Sequence, residues 1–371
     1  MLTLVEATDR WTRVGLMMEA LDLDLVVAVD TTRDEIMLGH QRWLTGYIPI
    51  GGPAAVLVGR DDSLELISER IGKPVTEHYR ANGFPIELVG GFSASLLAER
   101  INRRQPKRIG IAEGGSFPFA TGDALRDGPR LPNIVDISQD MLKLRLRKSA
   151  HELDLIRRSC AIADDVWERV PEIFRVGRHN YEIIADVDHL VRLAGAEGGF
   201  HLVLPLPFLG RNMLSLGNPD RIEPDARYLL EISPRYRGYY SQLTIPVSTR
   251  RDDNAALQAY EDVTASKRMA EPMMRPGADL SQIAVTISEF LKERGRTMSS
   301  LSLGHFCGMA LEEPRHDPTK PFILEEGMTM IFHPVLADPH LHGLMRAETY
   351  LITGSGAETL NRYAGGMLSV I

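Results

Sequence analysis

The sequence predicts two domains of different build, an α/β domain over residues 1–140 and an α+β domain over 141–371. Three observations carry that expectation. The chain is 371 residues long and 44% hydrophobic, enough apolar material for two cores. Its first part alternates short β-rich runs with helical spacing. Its second part mixes long amphipathic helices with strand pairs joined by turns.

Apolar residues recur at Val14, Met17, Met18 and Leu21, one face of a helix over Arg10 to Leu21, and the β-rich run Leu25 to Val29 follows. Further strands are expected at Ala54 to Val58, Leu64 to Ser68, Glu87 to Val89 and Arg108 to Ala112, with helical spacing at Leu96, Leu97 and Ile101 between them. This domain ends near Ile137. Its glycine pairs, Gly51-Gly52, Gly90-Gly91 and Gly114-Gly115, fit no phosphate-cradling pattern and read as turns. Arg42 to Pro53, RWLTGYIPIGGP, reads as a loop whose Trp43 and Tyr47 could cover a pocket.

The basic run Lys143, Arg145, Arg147 and Lys148 reads as a solvated linker between the domains. Ser149 then caps a helix with Glu152 three residues on, and Leu153, Ile156, Cys160, Ala163, Trp167 and Val170 make its apolar stripe. A second helix follows Asn180, with Ile183, Ile184, Val187 and Leu190 inside, and others are expected over Ala255 to Met269 and Leu280 to Arg294. Strands are expected on either side of Ser233-Pro234-Arg235 within Tyr228 to Val247, then at Met328 to Val335 and Glu348 to Thr353.

Composition excludes several function classes. A formal charge of -8 gives no basic face for nucleic acid. Two cysteines, Cys160 and Cys307, cannot build a disulfide framework or a cysteine zinc cluster, which suits a reducing cytosol. Charged residues interrupt the amino terminus before a signal-length apolar run, and no stretch approaches the ~20 apolar residues of a membrane span. A cytoplasmic protein is expected.

Chemistry points to the second domain. Glu231 lies between Leu230 and Ile232 in an otherwise apolar strand, where burying an unpartnered carboxylate costs several kcal/mol, on the order of the desolvation penalty of an ion. On a solvent-facing edge strand it would do nothing. His305, His333 and Glu348 each sit in or beside a strand-like run as well. One such residue is usually a hydrogen-bonded core group, but four together ask for a site.

These segments resemble a known family. GHFCGMALEEP resembles the GHGIGxxxHExP block of the pita-bread family, which holds methionine aminopeptidases, prolidases, aminopeptidase P and creatinase. EEGMTMIFHP resembles its xxGMxxTIEP, RAETYLITGSGAETL its RIEDTVLVTxxGxExL, and WLTGY the YLTG segment of its creatinase and prolidase members. The resemblance spans the chain. It implies a pita-bread catalytic domain behind a creatinase-type amino-terminal domain, and a hydrolase acting on carbon–nitrogen bonds.

Family peptidases hold two divalent ions with Asp, Asp, His, Glu and Glu, and the resemblance carries those positions onto Glu231, Gln242, His305, His333 and Glu348. Only His305 and Glu348 are kept, and four carboxylates become two. Neutral Gln242 cannot bridge two cations, and His333 cannot chelate through two oxygens. The segment GRNMLSLGNP puts Leu216 where the peptidases carry a further His, and the second His of the GHGIGxxxHE block falls on Glu312. The expectation is therefore a hydrolase of a small amide, amidine or cyclic nitrogen compound that works without metal, as creatinase and the ectoine hydrolases do. Glu231, His305, Glu348 and His333 are its expected catalytic residues, with either Glu as base or nucleophile. Gln242, Tyr240, Arg346, Glu312 and Tyr47 are expected at the substrate, Tyr47 from the loop of a homodimer partner. Three alternatives stay open: a single zinc or iron ion on His305, His333, Glu231 and Glu348; a non-catalytic ligand-binding protein; an Xaa-Pro peptidase with altered ligands. His201, His340 and His342 are weaker candidates.

Overall fold

The structure, a computed structural model, describes residues 2–30, 39–49, 52–113, 117–126, 132–207 and 220–370. Ile50, Gly51, Gly114, Gly115 and Leu216 lie outside them. The chain divides into two compact units, Met1–Arg145 and Leu146–Ile371.

The first unit contains α1 (Leu4–Ala20), β1 (Leu25–Asp30), α2 (His40–Thr45), β2 (Ala54–Gly59), β3 (Leu64–Ser68), α3 (Lys73–Ala81), β4 (Ile86–Gly90), α4 (Ala94–Arg103), β5 (Arg108–Ala112), α5 (Phe119–Arg126), β6 (Asn133–Asp136) and α6 (Ser138–Leu146), the last running one residue beyond it. Its six strands form one sheet in the order β4-β3-β2-β1-β5-β6. β1 pairs antiparallel with β2 and parallel with β5. The continuous apolar runs LVVAV and AAVLV suit these central, fully buried strands.

Two expectations fail in this unit. Arg42 to Thr45 belongs to helix α2, and its aromatic pair is internal. Trp43 lies 1% exposed with the Arg10 guanidinium 5.1 Å above its ring, and Trp11 Nε1 donates to Leu44 O at 2.8 Å. Tyr47 is buried too, its hydroxyl donating to Ser68 Oγ at 3.3 Å, so this ring packs within its own unit instead of reaching a substrate. The basic run is no solvated linker either. Lys143 and Arg145 belong to α6, and Arg145, 1% exposed, donates from Nη1 to His40 Nδ1 at 3.1 Å.

The second unit contains α7 (Ala150–Trp167), α8 (Val170–Ile173), α9 (Asn180–Leu193), β7 (Gly199–Leu206), β8 (Arg227–Tyr236), β9 (Tyr239–Tyr240), β10 (Leu243–Ser248), α10 (Asn254–Ala270), α11 (Leu280–Lys292), β11 (Gly304–Phe306), β12 (Thr329–Phe332), β13 (Ala347–Thr353), β14 (Gly356–Thr359) and β15 (Leu368–Ser369). Its sheet runs β11-β12-β13-β10-β8-β7, with β14 on β13, β15 on β10 and β9 on β8. Ser149 accepts from Glu152 N–H and Glu152 returns the bond to Ser149 N–H at 3.0 Å, the expected capping box of α7. One sheet face is mostly apolar, with Glu348 its charged exception: Leu230, Ile232, Leu243, Ile245, Phe332 and Tyr350 share a core with helix residues such as Ile162, Val166, Val187, Val263 and Ile283. The other face carries the polar residues of the site.

Candidate active site

Strand register decides which side chains share a face. Leu202, Glu231, Thr244 and Ala347 stand opposite one another across β7, β8, β10 and β13. The next row holds His201, Ile232, Leu243, Glu348, Phe332 and Gly304. Thr349, Ile331 and His305 form the row after that. Side chains alternate along a strand, so Glu231 and His305 share one face and Glu348 points to the other. His333 follows Ile331 by two positions, and its N–H continues the ladder to Leu303 O at 2.9 Å. Gln242, two positions before Thr244, lies on the Glu231 face and donates from Nε2 to Thr244 Oγ1 at 2.9 Å.

Glu231 is 9% exposed and accepts from Ser233 Oγ at 3.0 Å. Burial pushes its carboxyl up to about 7; the Ser233 bond and Arg315 oppose the push, and nearby Glu312 adds to it. His305 occupies a place only glycine could precede: Gly304 has φ +124, and a Cβ there would meet Ile331 O at 2.1 Å. His305 Nδ1 donates to Leu311 O at 2.8 Å, which leaves the Nε2 lone pair free in the neutral ring. Burial lowers this imidazole to about 4, and Arg315 lowers it further against the pull of Glu312. His333 lies edge-on to it with ring centroids 5.5 Å apart. Burial, then His305 and Arg315, holds His333 well below the usual imidazole value, and its Nδ1 has no hydrogen-bond partner. The loop after β11 is fixed by a fully buried pair, Lys148 Nζ to Glu313 Oε2 at 3.2 Å. Glu312 is ion-paired with Arg315, and both act on Glu231 and His305.

Three expected site residues are elsewhere. Glu348 faces the helix side, where Lys267 of α10 donates to Oε2 at 2.8 Å and Arg346 Nη2 to Oε1 at 2.7 Å. Arg346 also bonds Tyr260 Oη, Gly365 O and Tyr363 O, so it serves Glu348 and not Glu231. Tyr240 is 1% exposed, in the β8–β9 hairpin with Arg235 over its ring at 5.6 Å. His201 shares the Glu348 row and accepts from Ser233 N–H at 3.3 Å. Residues that sequence reasoning missed are Ser233, Thr244, Arg315 and Ala347. For Ala347 a signal existed: TYLIT set without a gap on the family's TVLVT puts Ala347 at its Glu and Glu348 at the neighbouring Asp.

Comparisons with known proteins agree on the fold. The model of metallopeptidase family M24 matches residues 154–354. The Xaa-Pro dipeptidase of Pyrococcus horikoshii is 23% identical over 348 residues, covering 93% of this chain and 94% of that protein. The solved prolidase from the same organism superposes with a TM-score of 0.79 at 20% identity, covering 95% of this chain and 98% of that one. The solved Xaa-Pro dipeptidase from Bacillus anthracis gives a TM-score of 0.81 at 17% identity, with 98% and 100% covered. The expected pita-bread fold with its amino-terminal domain and the expected class, a hydrolase of carbon–nitrogen bonds, agree with these matches. The expectation of a metal-free protein is overturned, since the matching family is one of metallopeptidases.

The residues present do not fit a pair of ions. Of the five ligand positions only His305 is kept once Ala347 replaces Glu348 on this face, and Glu231 is the one carboxylate among the five. Among the described residues no three His, Cys, Asp or Glu side chains are gathered in a way that would hold an ion.

Proposed function

The chain belongs to metallopeptidase family M24, and on that premise we propose that its second unit hydrolyses the carbon–nitrogen bond of a small amide. An Xaa-Pro dipeptide, the substrate type named for its relatives, is the first candidate. The observation that carries this reading is a buried carboxyl, Glu231, poised at about 7 on the same sheet face as two neutral histidines. A group so poised can take a proton from water and return it to the leaving nitrogen near neutral pH. Ser233 orients its carboxyl, and Arg315 and Glu312 set the local field. Gln242, its carbonyl oxygen left by the Nε2 bond to Thr244, can accept from a substrate N–H.

Turnover of Xaa-Pro dipeptides, small amides and cyclic amidines is to be compared for the wild type and Glu231→Gln, each with manganese, cobalt or zinc. The variant should fold and lose at least ~100-fold in rate, the scale of lost acid–base help. Undiminished turnover would remove Glu231 from the chemistry.

The same reading takes the protein to be a cytoplasmic homodimer. Cys160 and Cys307 are free, buried thiols, which fits a reducing compartment, and among the described residues no helix is long and apolar enough to cross a membrane. Ile48, 48% exposed at the end of the Trp43 segment, is apolar area that association would cover. Light scattering should give twice the chain mass of 41.3 kDa, and a monomer at micromolar concentration would count against the dimer.

A further inference from the structure

We propose that the second unit binds a small organic monocarboxylate with a flat ring, in a cavity on the helix-packed side of its sheet that is lined by α10, β13 and the segment 359–366. This site lies across the sheet from Glu231 and does not depend on the hydrolase reading.

The cavity is held open by bonds of its own. It encloses about 680 Å³, within the size range of small-molecule sites. β13 and the residue before it contribute Glu348, Tyr350 and Arg346, and α10 contributes Tyr260, Glu261, Thr264 and Arg268. The rest of the lining is irregular chain, and Arg346 pins it: Nη1 donates to Gly365 O and Nη2 to Tyr363 O, both at 2.8 Å. The Tyr363 ring leans on buried Trp167, with centroids 5.8 Å apart, and Arg346 also bonds the Tyr260 hydroxyl. Both tyrosines are thus fixed before a ligand arrives, which spares the cost of ordering them on binding.

Charge and shape select the ligand. Four cations line the cavity, Lys267, Arg268, Arg346 and Arg362, against three carboxylates, Glu261, Glu271 and Glu348, an excess of one positive charge. Glu348 is taken by Lys267 and Arg346, and Glu271 accepts from Tyr350 Oη at 2.9 Å. Arg268 and Arg362 are exposed and form no ion pair with a described residue, which leaves two guanidinium forks for an oxyanion. One carboxylate cancels the excess, whereas a phosphate monoester, with nearly twice the charge, overshoots it beside Glu261 and Glu271. Tyr260, Tyr350 and Tyr363 supply the aromatic surface that a flat apolar ring packs against.

The test is saturation-transfer NMR and calorimetry on the full chain with benzoate, phenylacetate and cinnamate, each beside its uncharged amide, and with phenyl phosphate. At least one carboxylate should bind at millimolar concentration or below, and at least tenfold tighter than its amide and than phenyl phosphate. Arg268→Ala and Arg362→Ala, both surface changes, should each weaken it at least threefold. Ala265→Trp, which fills the cavity from α10, should abolish binding with the melting temperature retained. Glu231→Gln should leave the affinity unchanged. No binding by any of the three carboxylates overturns the proposal, as do amides that bind equally well or an affinity indifferent to both arginine variants. Binding that survives in folded Ala265→Trp, or that is lost in Glu231→Gln, also overturns it, because the ligand then sits elsewhere. Tighter binding of phenyl phosphate would replace the carboxylate with a phosphate ester and overturn the charge argument. The hydrolase reading fails on a different result, undiminished turnover in Glu231→Gln, so either can fail alone.

Discussion

Lys267 Nζ lies 2.8 Å from Glu348 Oε2 on the helix-packed side of the sheet, with the two side chains 1% and 10% exposed. The ammonium also donates to Arg346 O at 2.9 Å and lies 5.2 Å from the Tyr350 ring centroid. The pair lines a cavity of about 680 Å³ together with Tyr260, Glu271, Arg346 and Tyr363, and it keeps a mostly buried carboxylate compensated there.

Lys267→Met should therefore destabilise the protein by about 3 kcal/mol, because Glu348 is left buried with Arg346 alone. Glu348→Gln added to it should recover part of that loss. Urea unfolding of the two variants measures both; a Lys267→Met midpoint equal to wild type would show the pair to be dispensable.

The same carboxyl gives a pH signature. Burial alone would raise Glu348, but Lys267 and Arg346 outweigh it and hold it at about 2, below its ordinary 4.5. Its stabilisation is present above pH 4.5 and disappears as pH falls through 2. Glu231 runs the opposite way. Its folded value of about 7 exceeds the ordinary 4.5, so its contribution is complete below 4.5 and is lost as pH rises through 7. That difference corresponds to about 3 kcal/mol. In chelated protein, Glu231→Gln should flatten the fall in melting temperature between pH 5 and 8, and a variant curve parallel to wild type would contradict the assignment.

Tyr239 ties the α7 cap to the sheet, its hydroxyl donating to Glu152 Oε1 at 2.8 Å. Tyr239→Phe should cost about 1.5–3 kcal/mol, the scale of a buried hydrogen bond to a charged group. Ser149→Ala should cost about 1 kcal/mol by loss of the cap itself. The two losses should be less than additive in a double-mutant cycle, because both act through Glu152.

Local pattern made much of this legible. The α7 box needs only Ser149 and Glu152, and its stripe only a 3.6-residue period. The strands around Glu231 were readable from their β-branched runs and their turn. What failed depends on single-residue register or on distant partners. Reading RAE against the family's RIE put Glu348 in the site, whereas strand pairing puts Ala347 there, and one residue of offset exchanges the two faces. Trp43 and Tyr47 looked free to cover a pocket because Arg10, Trp11 and Ser68, which enclose them, are far away in sequence.

Ser233 is the missed residue with the clearest consequence. Its hydroxyl donates to Glu231 Oε1 at 3.0 Å, both groups are buried, and that bond opposes the upward push that burial exerts on the carboxyl. A hydrogen bond to a charged group is worth about 1.5–3 kcal/mol, or roughly one to two pKa units. Ser233→Ala should therefore move Glu231 above its present value of about 7. If Glu231 is the base, the acidic limb of the kcat/KM profile moves up with it by about one unit, while the rate on the alkaline plateau falls only modestly. A merely structural Ser233 would instead lower the whole profile without moving its limb. Measuring kcat/KM from pH 5 to 9 for both proteins distinguishes the two, and an unmoved limb would mean that Glu231 is not the group whose ionisation the reaction follows.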